Sequence, residues 1–215
     1  YICNFIMSTL ETNLIQPSTG TALTIGASGD TITVPSGATF NVAGTLQSGG
    51  SAITEGIKNA QSYYLSGSKT IAAGTATVID SAFTALDTTK VGIIGSASNV
   101  TVSSGIFSFA TTGIYLVETT MNFYTQSSTD SRYVMGNVEV TANNSSYSVA
   151  AQATGQISDT NSGNNDNCVV NPSALVDVDD TSNVKVRLAA QGEGEIKTET
   201  QNKGFIIRFI RLSDT

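Results

Sequence analysis

The chain has no histidine, only two cysteines, and few charges: 13% of its 215 residues. Without histidine it lacks the commonest general base, the usual metal ligand and any Ser-His or Cys-His nucleophile. An enzyme built from these residues would have to work with carboxylates, Lys or Tyr. Cys3 and Cys168 are too few and too far apart for a disulfide framework or a zinc site of C-x₂₋₄-C spacing, and no cofactor is expected. Ten Lys plus Arg stand against seventeen Asp plus Glu, a net charge of −7 with no basic run. That balance excludes nucleic acid and acidic lipid as natural partners, because both are held by neutralising phosphate charge. No apolar run reaches the roughly 20 residues of a transmembrane helix, so no membrane insertion is expected. The opening YICNFIM is apolar but has neither a basic n-region nor a small-residue cleavage site, unlike a signal peptide. MSTLETNLIQ, from Met7, reads as an ordinary protein start, so residues 1–6 are expected to be an upstream extension or a processing remnant.

What is present points to strands. Hydrophobic residues make up 40% of the chain, enough for a core, while Ser, Thr, Asn and Gly fill the polar positions. β-Branched residues suit a pleated backbone and Gly and Asn suit turns, so the expected class is all-β. The most informative stretch is GIFSFATTGIYLVETTMNF, Gly105 to Phe123. Its second strand carries Tyr115, Val117, Met121 and Phe123 on one face, and Ile114 and Leu116, continuing into Glu118, on the other. A half-exposed strand should alternate apolar with polar, so two apolar faces imply two covered surfaces. One is a sandwich core. The other calls for a partner, and a second copy of the chain is the simplest. The closing strand GFIIRFIRL repeats the pattern: Phe205, Ile207 and Phe209 against Ile206 and Ile210, which flank Arg208. An arginine in an apolar row is unfavourable unless paired, so Arg208 is expected to meet Glu118 or Glu139 near a subunit contact. The expected subunit interface is therefore Ile114, Leu116, Glu118, Ile206, Arg208 and Ile210.

Residues 21–46 hold a quasi-repeat, ALTIG, DTITV and TFNVAGTL. It aligns Leu23, Ile32 and Phe40 in one column and Ile25, Val34 and Val42 in another. The sets ASG and PSG between them can turn the chain. Three such strands cannot bury both columns alone. They form either an intertwined trimeric shaft or a β-meander packed on the next domain. QSGGSAITEGI (47–57) reads as a connector hinged at Gly49-Gly50. Beyond it, strand signals fall at 62–65 with 69–72, then 75–79, 91–94, 100–102, 106–109, 114–123, 133–141, 148–152, 174–178, 184–189 and 204–212. That spacing suits a sandwich or barrel. The domains expected are 1–20 for attachment, 21–57 for stalk and linker, and 58–215 for the head.

The order F-x-F-x-x-x-G-x-Y (Phe107, Phe109, Gly113, Tyr115), then SALVDVDDTSNVKVRL (173–188), then a terminal G-F-x-I (204–207), resembles the C1q/tumour-necrosis-factor-like jelly roll over about residues 70–215. The resemblance implies a ten-stranded sandwich that trimerises through aromatic and aliphatic residues. The Asn/Ser/Gly-rich loop at 157–167 departs from it. Residues 23–46 are similar instead to N-terminal segments of tail-fibre and other virion-surface proteins of marine bacteriophages.

Asp177, Asp179 and Asp180 form the one dense acidic cluster. Calcium needs six to eight oxygens on a wrapping loop, whereas DVDDTSN reads more simply as a strand entering a turn. Glu193, Glu195 and Glu199 could be glycosidase carboxylates, but QGEGEIKTETQ reads as a solvated hairpin. Gly192-x-Gly194 lacks the context of a phosphate loop. Recognition residues are expected on two polar loops: Asn143, Asn144 and Tyr147 in one, and Asp159, Asn161, Asn164, Asn165 and Asp166 in the other. Their amides, hydroxyls and aromatic ring suit sugars, and they could equally be unspecialised surface.

Together these readings describe a non-enzymatic homotrimer on a virion surface, a phage tail fibre or appendage. Its N-terminus would hold other virion proteins and its head would meet a host glycan or protein. The alternatives are a capsid decoration or cement protein and, from another class, a polysaccharide-degrading tailspike.

Overall fold

The structure, a computed structural model, describes residues 25, 29–48, 51–52, 57, 59–86, 92–125, 131–158 and 166–214. Chain contacts divide it into two units, Tyr1–Thr54 and Glu55–Thr215.

In the first unit, alternating Thr with Ile, Val and Phe makes a chain suited to strands, but a strand is stable only beside another. Residues 29–46 form no strand within one chain, and their described side chains are exposed. The Ala38 N–H donates to the Pro35 carbonyl at 3.0 Å, closing a turn in which Gly37 has φ +85°. A two-residue antiparallel pair follows, β1 (Gln47–Ser48) with β2 (Ser51–Ala52). The expected hinge at Gly49-Gly50, the attachment segment 1–20 and Leu23 lie outside the described residues.

The second unit opens with β3 (Asn59–Leu65), β4 (Thr70–Ile71), β5 (Thr77–Val78), β6 (Phe83–Ala85) and β7 (Ile93–Ile94). Next come β8 (Val100–Ser103), β9 (Ile106–Phe109), β10 (Gly113–Tyr124), β11 (Ser131–Thr141) and β12 (Ser148–Ile157). It closes with β13 (Asn167–Val170), β14 (Ser173–Val178), β15 (Lys185–Gly192), β16 (Ile196–Thr198) and β17 (Ile206–Ser213). One 3₁₀ turn, Gln201–Lys203, precedes the last strand, and there is no α-helix among the described residues. The first sheet runs β4-β16-β10-β17-β3-β6, with β13 and β14 also on β10 and β7 on β3; the second runs β12-β11-β15-β9-β8, with β5 on β15. Every strand-to-strand pairing is antiparallel.

β10 organises the first sheet. Its first half lies between β14 and β17, and its second half takes β13 and β16. The anticipated alternation is visible as burial: Tyr115, Val117, Met121 and Phe123 are at most 1% exposed, while Ile114, Leu116 and Glu118 are half-buried. Gly113 opens the strand at φ +146°, where a Cβ would stand 2.5 Å from the Ser213 carbonyl oxygen. No side chain fits there, which makes this glycine the fixed point of the strand. From the other sheet Phe107, Phe109, Val138, Val186 and Leu188 meet β10 and β17 in the core. Rings pack at favourable offsets, Phe107 to Phe209 at 5.0 Å and Phe109 to Tyr115 at 4.6 Å.

Some expected pairings differ. The 62–65 strand does not pair with 69–72; β3 lies between β17 and the short β6 and β7, and β4 pairs with β16. A hairpin would have placed neighbours in sequence side by side, but a jelly roll returns the C-terminal strand to the N-terminal one. The QGEGEIKTETQ stretch is not a solvated hairpin either. Ile196 and Thr198 are fully buried and β16 pairs with β10, so only the alternate side chains of the stretch reach the surface.

Candidate interaction surfaces

The outer face of the first sheet is built by the residues that alternate with the core. Cross-strand partners place Leu175, Leu116, Ile210, Ala60 and Ile94 in one unbroken apolar row across β14, β10, β17, β3 and β7. At its two ends Leu175 is 68% and Ile94 is 51% exposed, values far from those of core side chains. At the Ile94 end lies a depression of about 240 Å³ lined by Ile93, Ile94, Gly92, Ile210 and Arg208 among others. At the Leu175 end β14 is an edge strand, and Val169 of β13 is also exposed there. β12 of the second sheet lies close to this edge: a Cβ on Gly155 would come 2.4 Å from the Cys168 sulfur. Cys168 is free, and burial raises its thiol pKa.

A polar row runs beside the apolar one: Ser173, Glu118, Arg208 and Ser62 are successive cross-strand partners. Arg208 is exposed and forms no ion pair with a described residue, and Glu139 is paired with Arg187 instead. Within one chain Arg208 therefore bonds to neither Glu118 nor Glu139, the acids expected for it near a subunit contact. Arg208 points away from the core into water, which solvates it, and its register neighbour Glu118 is alongside but not bonded. The other expected interface residues, Ile114, Leu116, Ile206 and Ile210, all lie half-buried on this outer face. Sequence reasoning missed Leu175 and Ile94. The signal for Leu175 was present, since it breaks the polar series Ser173, Asp177 on the outward side of β14.

The loop joining β11 to β12 is built from the inside. The Asn143 Oδ1 accepts bonds from the backbone N–H groups of Ser145 at 3.0 Å and Ser146 at 2.9 Å, and from the Thr141 hydroxyl at 2.9 Å. That side-chain oxygen is committed to the loop itself. Asn144 takes a left-handed φ of +53°, and its N–H donates to the Asn183 carbonyl at 3.0 Å, tying the loop to its neighbour. In that neighbouring turn, Asp180 accepts from the Ser182 N–H and the Asn183 side chain, both at 2.7 Å. These bonds, the Ser182 N–H foremost, hold its carboxyl below the usual range. The strand-into-turn reading of 177–183 describes what the fold contains.

Tyr147 is half-buried at the end of the loop. The Arg187 guanidinium stacks 3.9 Å from the centre of its ring, and Arg187 Nε donates to Glu139 Oε2 at 2.6 Å. Burial raises the phenol pKa most; Arg187 lowers it and Glu139 raises it. The three residues make a polar and aromatic patch on the outer face of the second sheet, spanning β11, β15 and the loop. Of the second expected loop, Asp159, Asn161, Asn164 and Asn165 lie outside the described residues. Asp166 is half-buried, and its carbonyl accepts from the Thr125 N–H at 3.2 Å.

The glutamates of the 193–199 stretch sit in separate local environments. Glu193 is held by Arg132, whose Nε lies 2.7 Å from Oε1, and this bond brings its pKa down to about 2. Glu199 accepts from the Gln201 N–H at 2.6 Å, while Glu195 is exposed. Among the described residues no group of three or more His, Cys, Asp or Glu could hold a metal ion.

No protein-family model and no curated protein matches the chain. Among solved structures it is similar to murine APRIL at pH 8.0, with a TM-score of 0.50 at 10% identity, covering 72% of this chain and 98% of that one. It is also similar to the Eiger TNF of S. frugiperda, with a TM-score of 0.49 at 16% identity, covering 73% and 93%. At the identity shared with APRIL the likeness shows the fold alone: the second unit is an all-β jelly roll of the tumour-necrosis-factor type.

Proposed function

We propose that the chain is a non-enzymatic, homotrimeric virion-surface protein, with residues 1–20 attaching it, 21–57 forming a stalk, and 58–215 presented for contact with a host glycan or protein. The observation that carries the self-association is the apolar row from Leu175 to Ile94 on the outer face of the first sheet. Its two most exposed features sit at opposite ends of the row, a projecting leucine and a shallow depression. A projection on one edge and a hollow on the other fit head to tail, and such contacts close into a ring where each copy is turned by a third of a circle from the last. In that ring the Leu175 edge of one head rests on the Ile93 and Ile94 edge of the next. Arg208 and Glu118 then lose water together beside the seam, where each can pair with its neighbour's opposite charge. The virion assignment is supported by the similarity of residues 23–46 to phage virion-surface segments, and the Tyr147 patch is the surface best suited to a sugar.

Light scattering of the purified chain tests the assembly: a mass of three chains is expected, and a stable single chain at high concentration would defeat it. Electron microscopy of virions lacking residues 1–20 tests the placement. Loss of density from the tail is expected, whereas loss from the capsid shell would make this a decoration protein.

A further inference from the structure

Residues 29–46 combine three properties. Ile32, Val34, Phe40 and Val42 are 65%, 44%, 68% and 37% exposed. Among the described residues the segment's backbone closes a turn between Pro35 and Ala38 and joins no sheet. Between Glu11 and Glu55 the chain carries one charge, Asp30. An alternating apolar segment whose exposed backbone bonds to no neighbouring strand is suited to pairing with one.

We propose that the missing neighbours are two further copies of the same segment, lying side by side with it in matching register. In an extended chain residues two apart point the same way, so Ile32 with Val34, and Phe40 with Val42, each present one apolar face. The turn at 35–38, with Gly37 at φ +85°, separates the two pairs and lets each form its own layer. Three copies of each layer enclose a small core that one copy cannot make. Composition favours copies over an unlike partner: an unlike surface is usually steered and oriented by charge, and this segment offers almost none. Identical uncharged strands meet no like-charge penalty except at Asp30, ahead of the first layer. The inference rests on the trimeric head proposed above, because joining three heads holds three stalks at a millimolar effective concentration and offsets most of the entropy of pairing.

Hydrogen exchange read by mass spectrometry on the full chain, with light scattering on the same sample, is the test. Amides of residues 31–34 and 39–43 are expected to exchange about 100-fold more slowly than an unstructured peptide, as they do in paired strands. In the double variant Phe40→Asp, Val42→Asp residues 39–43 should return to the unstructured rate while the mass of the particle is unchanged. A three-chain particle whose wild-type stalk exchanges at the unstructured rate overturns this inference and leaves the head trimer standing. Protection that persists after dilution to single chains also overturns it, since pairing would then be internal. A single unprotected chain at all concentrations overturns both.

Discussion

Thr31-Ile32-Thr33-Val34 and Ile114-Tyr115-Leu116-Val117 are both short runs of strand-forming residues, and they end in opposite environments. The first is exposed throughout, whereas Tyr115 and Val117 of the second are 1% and 0% exposed. Propensity does not separate them. β10 has β14 on one side, β17 on the other and a second sheet beneath, while residues 31–34 have no strand beside them in the same chain. Strand propensity describes fitness for a pleated, half-buried place, and the neighbours supply the place.

The comparison breaks most sharply on a phenylalanine taken from each region. Phe209→Ala removes a ring 1% exposed from the aromatic core, and denaturant unfolding of the head should register a loss of about 3–5 kcal/mol. Phe40→Ala, at a ring 68% exposed, should move the same transition by less than about 0.5 kcal/mol. Next in size is Leu175→Asp, which places a charge at the exposed end of the outer row. Self-association followed by sedimentation should weaken about 100-fold, with the head's own unfolding nearly unchanged.

Smaller effects sharpen the picture of the head's polar parts. Tyr63 accepts from Gln61 Nε2 at 2.8 Å and donates to the Val100 carbonyl, and burial raises its pKa above the ordinary 10.0. A raised folded pKa means that the unfolded chain gives up its proton first. The stabilisation is complete below about pH 10 and is lost as pH climbs through the folded value. Tyr63→Phe should therefore be less stable by about 1 kcal/mol at pH 7, with the gap narrowing in alkaline unfolding titrations. Asn143→Ala frees the Ser145 and Ser146 amides and should lower stability by about 0.5–1 kcal/mol, seen as faster exchange confined to the 141–147 loop. Uniform exchange across β11 and β12 instead would mean that the loop is part of the sheet's cooperative unit.

Much of this was legible in the chain. The two-faced pattern of 114–123 and of GFIIRFIRL gave the inward and outward sides of β10 and β17 correctly, because a period of two leaves no freedom once one face is buried. The strands at 167–170 and 196–198 were not legible. Each is only three or four residues long and gains its stability from a place beside β10. The Arg187–Tyr147 stack joins residues forty positions apart, and no local rule predicts such a contact.

By itself, then, the order of residues determined the class of fold and the residues facing inward on its longest strands. These depend on alternation and turn chemistry, which act between near neighbours, whereas the closure of Gly113 to any side chain comes from Ser213 on the paired strand. Only the tertiary structure decided that β3 lies beside β17, that Leu175 and Ile94 end one apolar row, and that Arg208 faces water rather than an acid. Those outcomes depend on which distant strands share an edge, and burial is assigned only once the edges are paired.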